Sequence, residues 1–259
     1  LTNFYYCFTS FNMNNEKIKL VVIIAAGTGS RLKSDNGVPK PLLSLNGRSL
    51  ILRVLDKFYE AGIKEAIIVT GYRSDEVQNG IISDNHPLQT KFAVNERYTM
   101  SNGLSVLAAK DLVNGRNFFL SMADHIFESS LISTLANAHL PENGLVLAVD
   151  RKLDEIYDED DATKVLTNGD LIIDIHKELK KFNAVDTGLF ACTPALFTKI
   201  EEAASKRTDG DCTLSDGVTA MTRNKQAIVC DIGSGKWQDV DTPGAVTHAE
   251  QQFFNDFKK

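Results

Sequence analysis

No stretch of this 259-residue chain holds 18 consecutive apolar residues, so no segment reads as a membrane-spanning helix. An excess of basic charge is also missing. With 28 Lys and Arg against 34 Asp and Glu, the formal net charge is −6, which removes the electrostatic footprint expected for duplex DNA or an acidic membrane surface. No nucleic-acid partner is expected, although a local basic pocket for a small anion is compatible with this balance. The four cysteines, Cys7, Cys192, Cys212 and Cys230, form no C-x-x-C pair and are too sparse for a disulfide scaffold. They read as reduced thiols of a cytoplasmic protein. Internal repeats and low-complexity linkers are absent too. What is present is ordinary globular composition, 43% apolar and 24% charged, enough to bury a substantial core.

The first twelve residues, LTNFYYCFTSFN, are rich in aromatics but carry no positive charge and no continuous aliphatic segment, so they do not read as a secretory signal. Residues 1–18 read as an appendage and 19–259 as a single domain. Residue 1 is Leu, and Met13 stands just before the first strong element, so translation is expected to begin at Met13.

From Lys19 the run KLVVIIAAG, closed by glycine, suits a strand buried on both faces of a parallel sheet. Ser49 to Ala61 has helical apolar spacing and stops at Gly62. The run EAIIVTG is a second buried strand, Ser74 to Ile82 a short helix capped by Ser74, and KFAVN a third strand. The β-α-β-α-β order predicts parallel strands with right-handed crossovers. Further on, Leu104 to Leu112 reads as a helix, NFFLSMADHIF as one apolar strand, LISTLANAHL as a helix and GLVLAVD as a buried strand. The segment Asp150 to Asp161 holds seven acidic residues among twelve and reads as a solvated loop. Asn168-Gly169 between two apolar runs signals a hairpin, placed as an insertion over one sheet edge. After the strand AVDTGLFACT come helices at Pro194 to Ser205 and Leu214 to Thr222, strands AIVCDI and KWQDVDT, and a closing helix from Pro243 to Phe257. The fold class is therefore α/β, a Rossmann-like doubly wound mixed sheet with a β-hairpin insertion lobe.

The loop Gly27-Thr28-Gly29-Ser30-Arg31-Leu32 follows the first strand directly, so its backbone amides can approach a phosphate chain. It is neither of the two common phosphate loops. The dinucleotide fingerprint wants a small residue where Leu32 stands, and the Walker A pattern needs glycine before Lys33-Ser34. What stands here is A-A-G-x-G-S-R-L, followed by V-P-K-P-L at Val38 to Leu42. Together these resemble the signature of the nucleotidyltransferases that activate sugars and small phosphorylated alcohols. Arg31 and Lys40 then supply two cations for a triphosphate, with Pro39 and Pro41 stiffening the backbone around Lys40. The loop residues Ala25, Ala26, Gly27, Thr28, Gly29 and Ser30 become the nucleotide-binding candidates.

Nucleotidyl transfer needs a hard divalent cation held by carboxylate oxygens. Asp124 ends an apolar strand and so is delivered to the carboxyl edge of the sheet, where ligands of open α/β sheets bind. Asp239 and Asp241 stand two apart, which in a strand turns both to one face. In the resembled family an Asp after the central strand and an acidic residue in a late W-x-D-x-x-T strand hold Mg²⁺, which implies Asp124 with either Asp239 or Asp241. For Asp241 a helix-capping role is the competing reading, because Thr242-Pro243 follows. His125 is set aside, as are His86, His139, His176 and His248.

The element Asn102-Gly103-Leu104-Ser105 resembles the N-G-x-S-L of cytidylyltransferases, which implies Asn102 and Ser105 near the nucleoside. The ordered motifs S-M-A-D-H-I-F, D-A-T-K-V, N-A-V-D-T-G-L-F and W-Q-D-V-D-T resemble CTP:inositol-1-phosphate cytidylyltransferases from residue 20 to about 250. The resemblance implies transfer of CMP from CTP to inositol-1-phosphate or a close phosphorylated polyol, with release of pyrophosphate. Lys164 and Lys177 would neutralise the acceptor phosphate, and Asp186 would bond acceptor hydroxyls. No Ser-His-Asp or Cys-His grouping is seen, and none is needed, because a phosphate nucleophile is already ionised. In several relatives this domain is fused to a membrane-embedded phosphatidyltransferase, and a separate one is implied as the consumer of the product. Competing acceptors are phosphocholine, for which the acidic run and Tyr157 could enclose a quaternary ammonium, aminoethylphosphonate, or a sugar-1-phosphate. A nucleotide-sensing regulatory subunit without turnover is the reading from a different class.

Overall fold

The computed structural model describes residues 17–32 and 37–254. Met13, Cys7, Lys33 and Ser34 lie outside the described residues, as does the appendage apart from Lys17 and Ile18. Ile18 packs, partly buried, against the core.

The first strand, β1 (Leu20–Ala25), is apolar throughout because both its faces are covered. A two-residue hairpin, β2 (Ser44–Leu45) and β3 (Arg48–Ser49), leads into α1 (Leu50–Glu60). Then follow β4 (Glu65–Thr70), α2 (Ser74–Ile82), β5 (Gln89–Val94), α3 (Asn102–Ala108), α4 (Lys110–Val113), β6 (Phe118–Met122), β7 (His125–Phe127) and α5 (Ser129–Asn137). The second half runs β8 (Leu145–Asp150), β9 (Lys164–Asn168), β10 (Leu171–His176), β11 (Ala184–Cys192), α6 (Ala195–Ala204), α7 (Leu214–Thr222), β12 (Ala227–Asp231), β13 (Trp237–Asp239) and α8 (Pro243–Phe254).

Nine strands form one sheet in the order β5-β4-β1-β6-β11-β8-β12-β10-β9. The β5, β4, β1 and β6 strands are parallel, as the alternating pattern predicts, and β11 runs antiparallel between β6 and β8. Helices cover both faces. Leu20 and Val22 of β1 join the layer under α6 and α7, whereas Val21 and Ile23 join the layer under α1 and α5.

Four local expectations need correction. The run 117–127 is two strands, not one, because Ala123-Asp124 turns the chain out of the main sheet into β7. The helix expected over 104–112 breaks at Ala109 into α3 and α4. Ser74 is the first residue of α2 rather than its cap, and left-handed Arg73 precedes it. The hairpin pairs Asn168 with Leu171, so its turn is Gly169-Asp170. That hairpin extends the sheet beyond β12, and β9 also bonds back to β11, which curls this end of the sheet on itself.

Candidate active site

The glycine loop leaves β1 at its carboxyl end and lines a cavity of about 220 Å³ together with Lys40, Pro41, Ala123, Asp124 and Asp241. Ala25, Gly27, Thr28, Gly29, Ser30 and Arg31 all face this space; Ala26 does not, being buried in the core with its carbonyl accepting from Tyr72 N–H. Gly29 has φ of 61°, and a Cβ there would stand 2.5 Å from Lys40 Cβ. This position is therefore glycine for two reasons: the left-handed backbone and the close passage of the Lys40 side chain.

Lys40 sits in a 3-10 turn, Lys40–Leu42, directly after Pro39. Its Nζ donates to Asp124 Oδ2 at 2.5 Å, a contact between side chains 84 residues apart in sequence. Asp124 is in the turn between β6 and β7, and its carboxyl is held below the usual range: burial opposes ionisation, but Lys40 and His125 outweigh it.

Asp239 reaches the same place by strand pairing. The β13 strand runs antiparallel to β7, with Asp239 opposite His125. Burial, added to by the charge of Asp124, pushes the Asp239 carboxyl up to about 6. Its Oδ1 is buried and accepts no hydrogen bond.

Asp241, two residues on, is buried and turned to Arg31, whose Nη2 is 2.5 Å from Oδ2. The cap of the closing helix is instead supplied by Thr242, whose Oγ1 accepts from Ala245 N–H, so the capping reading of Asp241 does not hold.

These carboxylates fit a divalent cation. Oxygen or nitrogen atoms of Asp124, His125 and Asp239 lie within 4.8 Å of one another, and so do those of Asp161, Asp239 and Asp241. The orphaned Asp239 Oδ1 is a buried hard donor of the kind such an ion uses.

A larger cavity of about 560 Å³ adjoins the first, sharing Ile24, Gly27, Asp124 and Asp241 in its lining. One wall carries Tyr98, Met100, Asn102, Ser105 and Leu214. Here Asn102 Oδ1 accepts from Leu214 N–H at 2.9 Å, tying α3 to α7, and Ser105 Oγ accepts from Asn95 Nδ2. The lining also includes Lys177, Asp186, Trp237, Gln238 and His248. Burial pushes the Asp186 carboxyl up to about 6 even though Gly188 N–H donates to it at 2.7 Å.

Lys164 is not brought to either cavity. It is buried, and its Nζ donates to the carbonyls of Asp160 and Ala162, so it braces the acidic segment from behind.

That segment is both exposed and part of the site. Asp154, Glu155 and Asp158 to Asp160 are exposed, as a solvated loop requires, and the segment also lines the larger cavity with Asp150, Lys152, Tyr157, Asp158 and Asp161. Asp150 is buried and accepts from Trp237 Nε1 at 3.0 Å. Asp161 accepts from Arg31 Nη1 at 2.5 Å and from Lys177 Nζ at 2.9 Å. Tyr157 stacks on His248 of α8, with ring centroids 4.3 Å apart. Tyr157 beside the acidic run is the combination that the sequence offers for enclosing a cationic group, and both line this cavity.

A glycine loop, a proline-flanked lysine against a strand-end aspartate and a cavity beyond them stand on a mixed doubly wound sheet with the nucleotide-diphospho-sugar transferase-like fold of the solved structures it resembles. Residues 21–207 match the model of the MobA-like NTP transferase domain, and the chain belongs to that family. It is 32% identical over 230 residues to the "Bifunctional IPC transferase and DIPP synthase" of Thermococcus kodakarensis, covering 89% of this chain and 49% of that protein. It is 29% identical over 248 residues to the "CMP-5'-(3-aminopropyl)phosphonate synthase" of Streptomyces rubellomurinus, covering 90% and 38%. The chain thus spans about half the length, or less, of these curated relatives. Among solved structures, the inositol-1-phosphate CTP transferase from T. maritima superposes with a TM-score of 0.78 at 24% identity, covering 88% of this chain and 91% of the other. Among the described residues no helix is long and apolar enough to cross a membrane.

Proposed function

We propose that the chain is a Mg²⁺-dependent cytidylyltransferase that transfers CMP from CTP to inositol-1-phosphate or a close phosphorylated polyol. The observation that carries this reading is the Lys40–Asp124 contact at the junction of the two cavities. It stands where a triphosphate on the glycine loop meets a phosphorylated acceptor in the larger space. The names of the Thermococcus relative and of the T. maritima structure support the same acceptor class.

A phosphate oxygen of the acceptor attacks the α-phosphorus of CTP, the new O–P bond forms, and the bond to the β-phosphate oxygen breaks to release pyrophosphate. No general base is required. Arg31 and Lys40 bind and orient the triphosphate and offset charge that builds on the leaving group. Asp124 and Asp239 would hold the divalent cation, which supplies charge neutralisation at the α-phosphate. Lys177 meets the acceptor phosphate, Asp186 accepts from acceptor hydroxyls, and Asn102 and Ser105 lie by the nucleoside. An incoming phosphate replaces Asp161 as the partner of Arg31 and Lys177.

Pyrophosphate release from each of the four NTPs with a panel of phosphorylated acceptors tests the proposal. Release with CTP and inositol-1-phosphate is expected. Release with UTP or dTTP and glucose-1-phosphate would exclude the cytidylyl assignment, and no release with any pair would favour a regulatory subunit. An aminoalkylphosphonate acceptor is the second reading, supported by the Streptomyces relative and by Tyr157 stacked on His248 in an acid-rich wall.

A further inference from the structure

We propose that His125 is a third protein ligand of the divalent cation, through Nε2, which makes the centre a mixed nitrogen–oxygen site. The imidazole is held in place by a hydrogen bond, a ring stack and a bare backbone position. Its Nδ1 is 2.7 Å from the carbonyl oxygen of Thr187. A carbonyl can only accept, so Nδ1 carries a proton and Nε2 is the nitrogen left to meet a cation. A metal-ligating histidine is oriented in this way when its other nitrogen donates to a backbone carbonyl.

The seat for the ring is built into two strands. Trp237 of β13 stacks on it with centroids 5.7 Å apart. On β11, Gly188 has φ of 75°, and a Cβ there would lie 2.4 Å from Nδ1. The position must stay bare for the ring to lie where it does.

Nε2 then faces two carboxylates at distances too long for hydrogen bonds: 3.9 Å to Asp124 Oδ1 and 3.8 Å to Asp239 Oδ2. Donor atoms that share one cation, each about 2.1 Å from it, are separated by up to about 4.2 Å. Both separations fall within that limit, and donor atoms of all three residues lie within 4.8 Å of one another; the other oxygen of the Asp239 carboxyl, Oδ1, is buried without a hydrogen-bond partner. An imidazole ligand shifts preference from Mg²⁺ toward borderline ions such as Mn²⁺, Co²⁺ and Zn²⁺.

This inference deepens the proposed function by assigning the coordination of the same site, but its test reads coordination alone. A protein that binds Mn²⁺ through His125 and yet releases no pyrophosphate would overturn the cytidylyltransferase reading and leave this one standing.

The experiment is pulsed electron paramagnetic resonance of the full chain with Mn²⁺ alone, without nucleotide. A histidine-nitrogen coupling to Mn²⁺ is expected in the parent protein, changing isotopically when histidine is supplied as ¹⁵N. It should vanish in His125→Gln and persist in His248→Gln, with Mn²⁺ affinity about tenfold or more weaker in the first. Absence of the coupling in the parent, its persistence in His125→Gln, or its loss in His248→Gln overturns the proposal. Should His125→Gln fail to fold, the labelled parent and His248→Gln still decide.

Discussion

At the scale of single residues, one side chain places another. Gly29 lets Lys40 pass where any Cβ would collide, and Lys40 in turn holds Asp124. Gly29→Ala is expected to lower kcat/KM by about a hundredfold or more by moving Lys40 off Asp124. The left-handed backbone adds a stability loss of about 1–2 kcal/mol. Steady-state kinetics and denaturant unfolding read the two effects separately. Asp186 carries a different signature. Its folded carboxyl titrates near 6, above the usual 3.8, because it is buried. The native state therefore keeps a proton that the unfolded chain has released, so stability is greatest below this window and falls as pH rises through it. Asp186→Asn removes the fall: the variant should be more stable than the parent at pH 8, by about 1–3 kcal/mol, and no more stable at pH 3.5. Unfolding curves at the two pH values check this, and equal behaviour at both would exclude a carboxyl whose ionisation the fold opposes.

At the scale of elements, the acidic segment 150–161 and the β9–β10 hairpin act together. Lys164 at the start of β9 donates to two carbonyls of the segment, whereas Lys177, just past β10, reaches its carboxylate Asp161. The two lysines were read alike from sequence, and the structure separates them. Lys164→Met should cost about 1–3 kcal/mol of stability by removing both hydrogen bonds from the buried ammonium to the Asp160 and Ala162 carbonyls and should raise acceptor KM indirectly. Lys177→Met should raise acceptor KM with the melting temperature within about 2 °C of the parent, since an exposed ion pair contributes little. Similar melting losses in both would reject the distinction. The legible elements were those with a strong local pattern: buried strands β1, β4 and β8, the amphipathic α1, and the Asn-Gly hairpin. Asp124 was legible because a strand end in an open α/β sheet is a defined place. The 150–161 segment was legible as exposed and, with Tyr157, as a candidate ligand wall, but its partners were not, because Arg31, Trp237 and His248 lie far off in sequence. His125 was passed over because its seat exists only once β7 meets β13 and β11.

At the scale of the molecule, the two cavities open side by side at the carboxyl edge of β1, roofed by residues from both halves of the chain. Ligand binding should therefore stabilise the whole. CTP with Mg²⁺ at a hundredfold excess over its dissociation constant is expected to add about 2.7 kcal/mol, a rise of about 5–10 °C in melting temperature. Differential scanning fluorimetry measures it, and no shift with CTP would count against the nucleotide site. The pairing of β7 with β13 also carries a kinetic consequence. It joins Asp239 to a turn more than a hundred residues earlier, through a two-stranded sheet separate from the main one. During synthesis the glycine loop, Lys40 and Asp124 emerge long before β13, so the growing chain builds its phosphate cradle first and lacks its second carboxylate until nearly all the described residues are out. Such distant contacts form slowly. Cation binding should accordingly be the last property a refolding molecule regains, trailing the recovery of secondary structure.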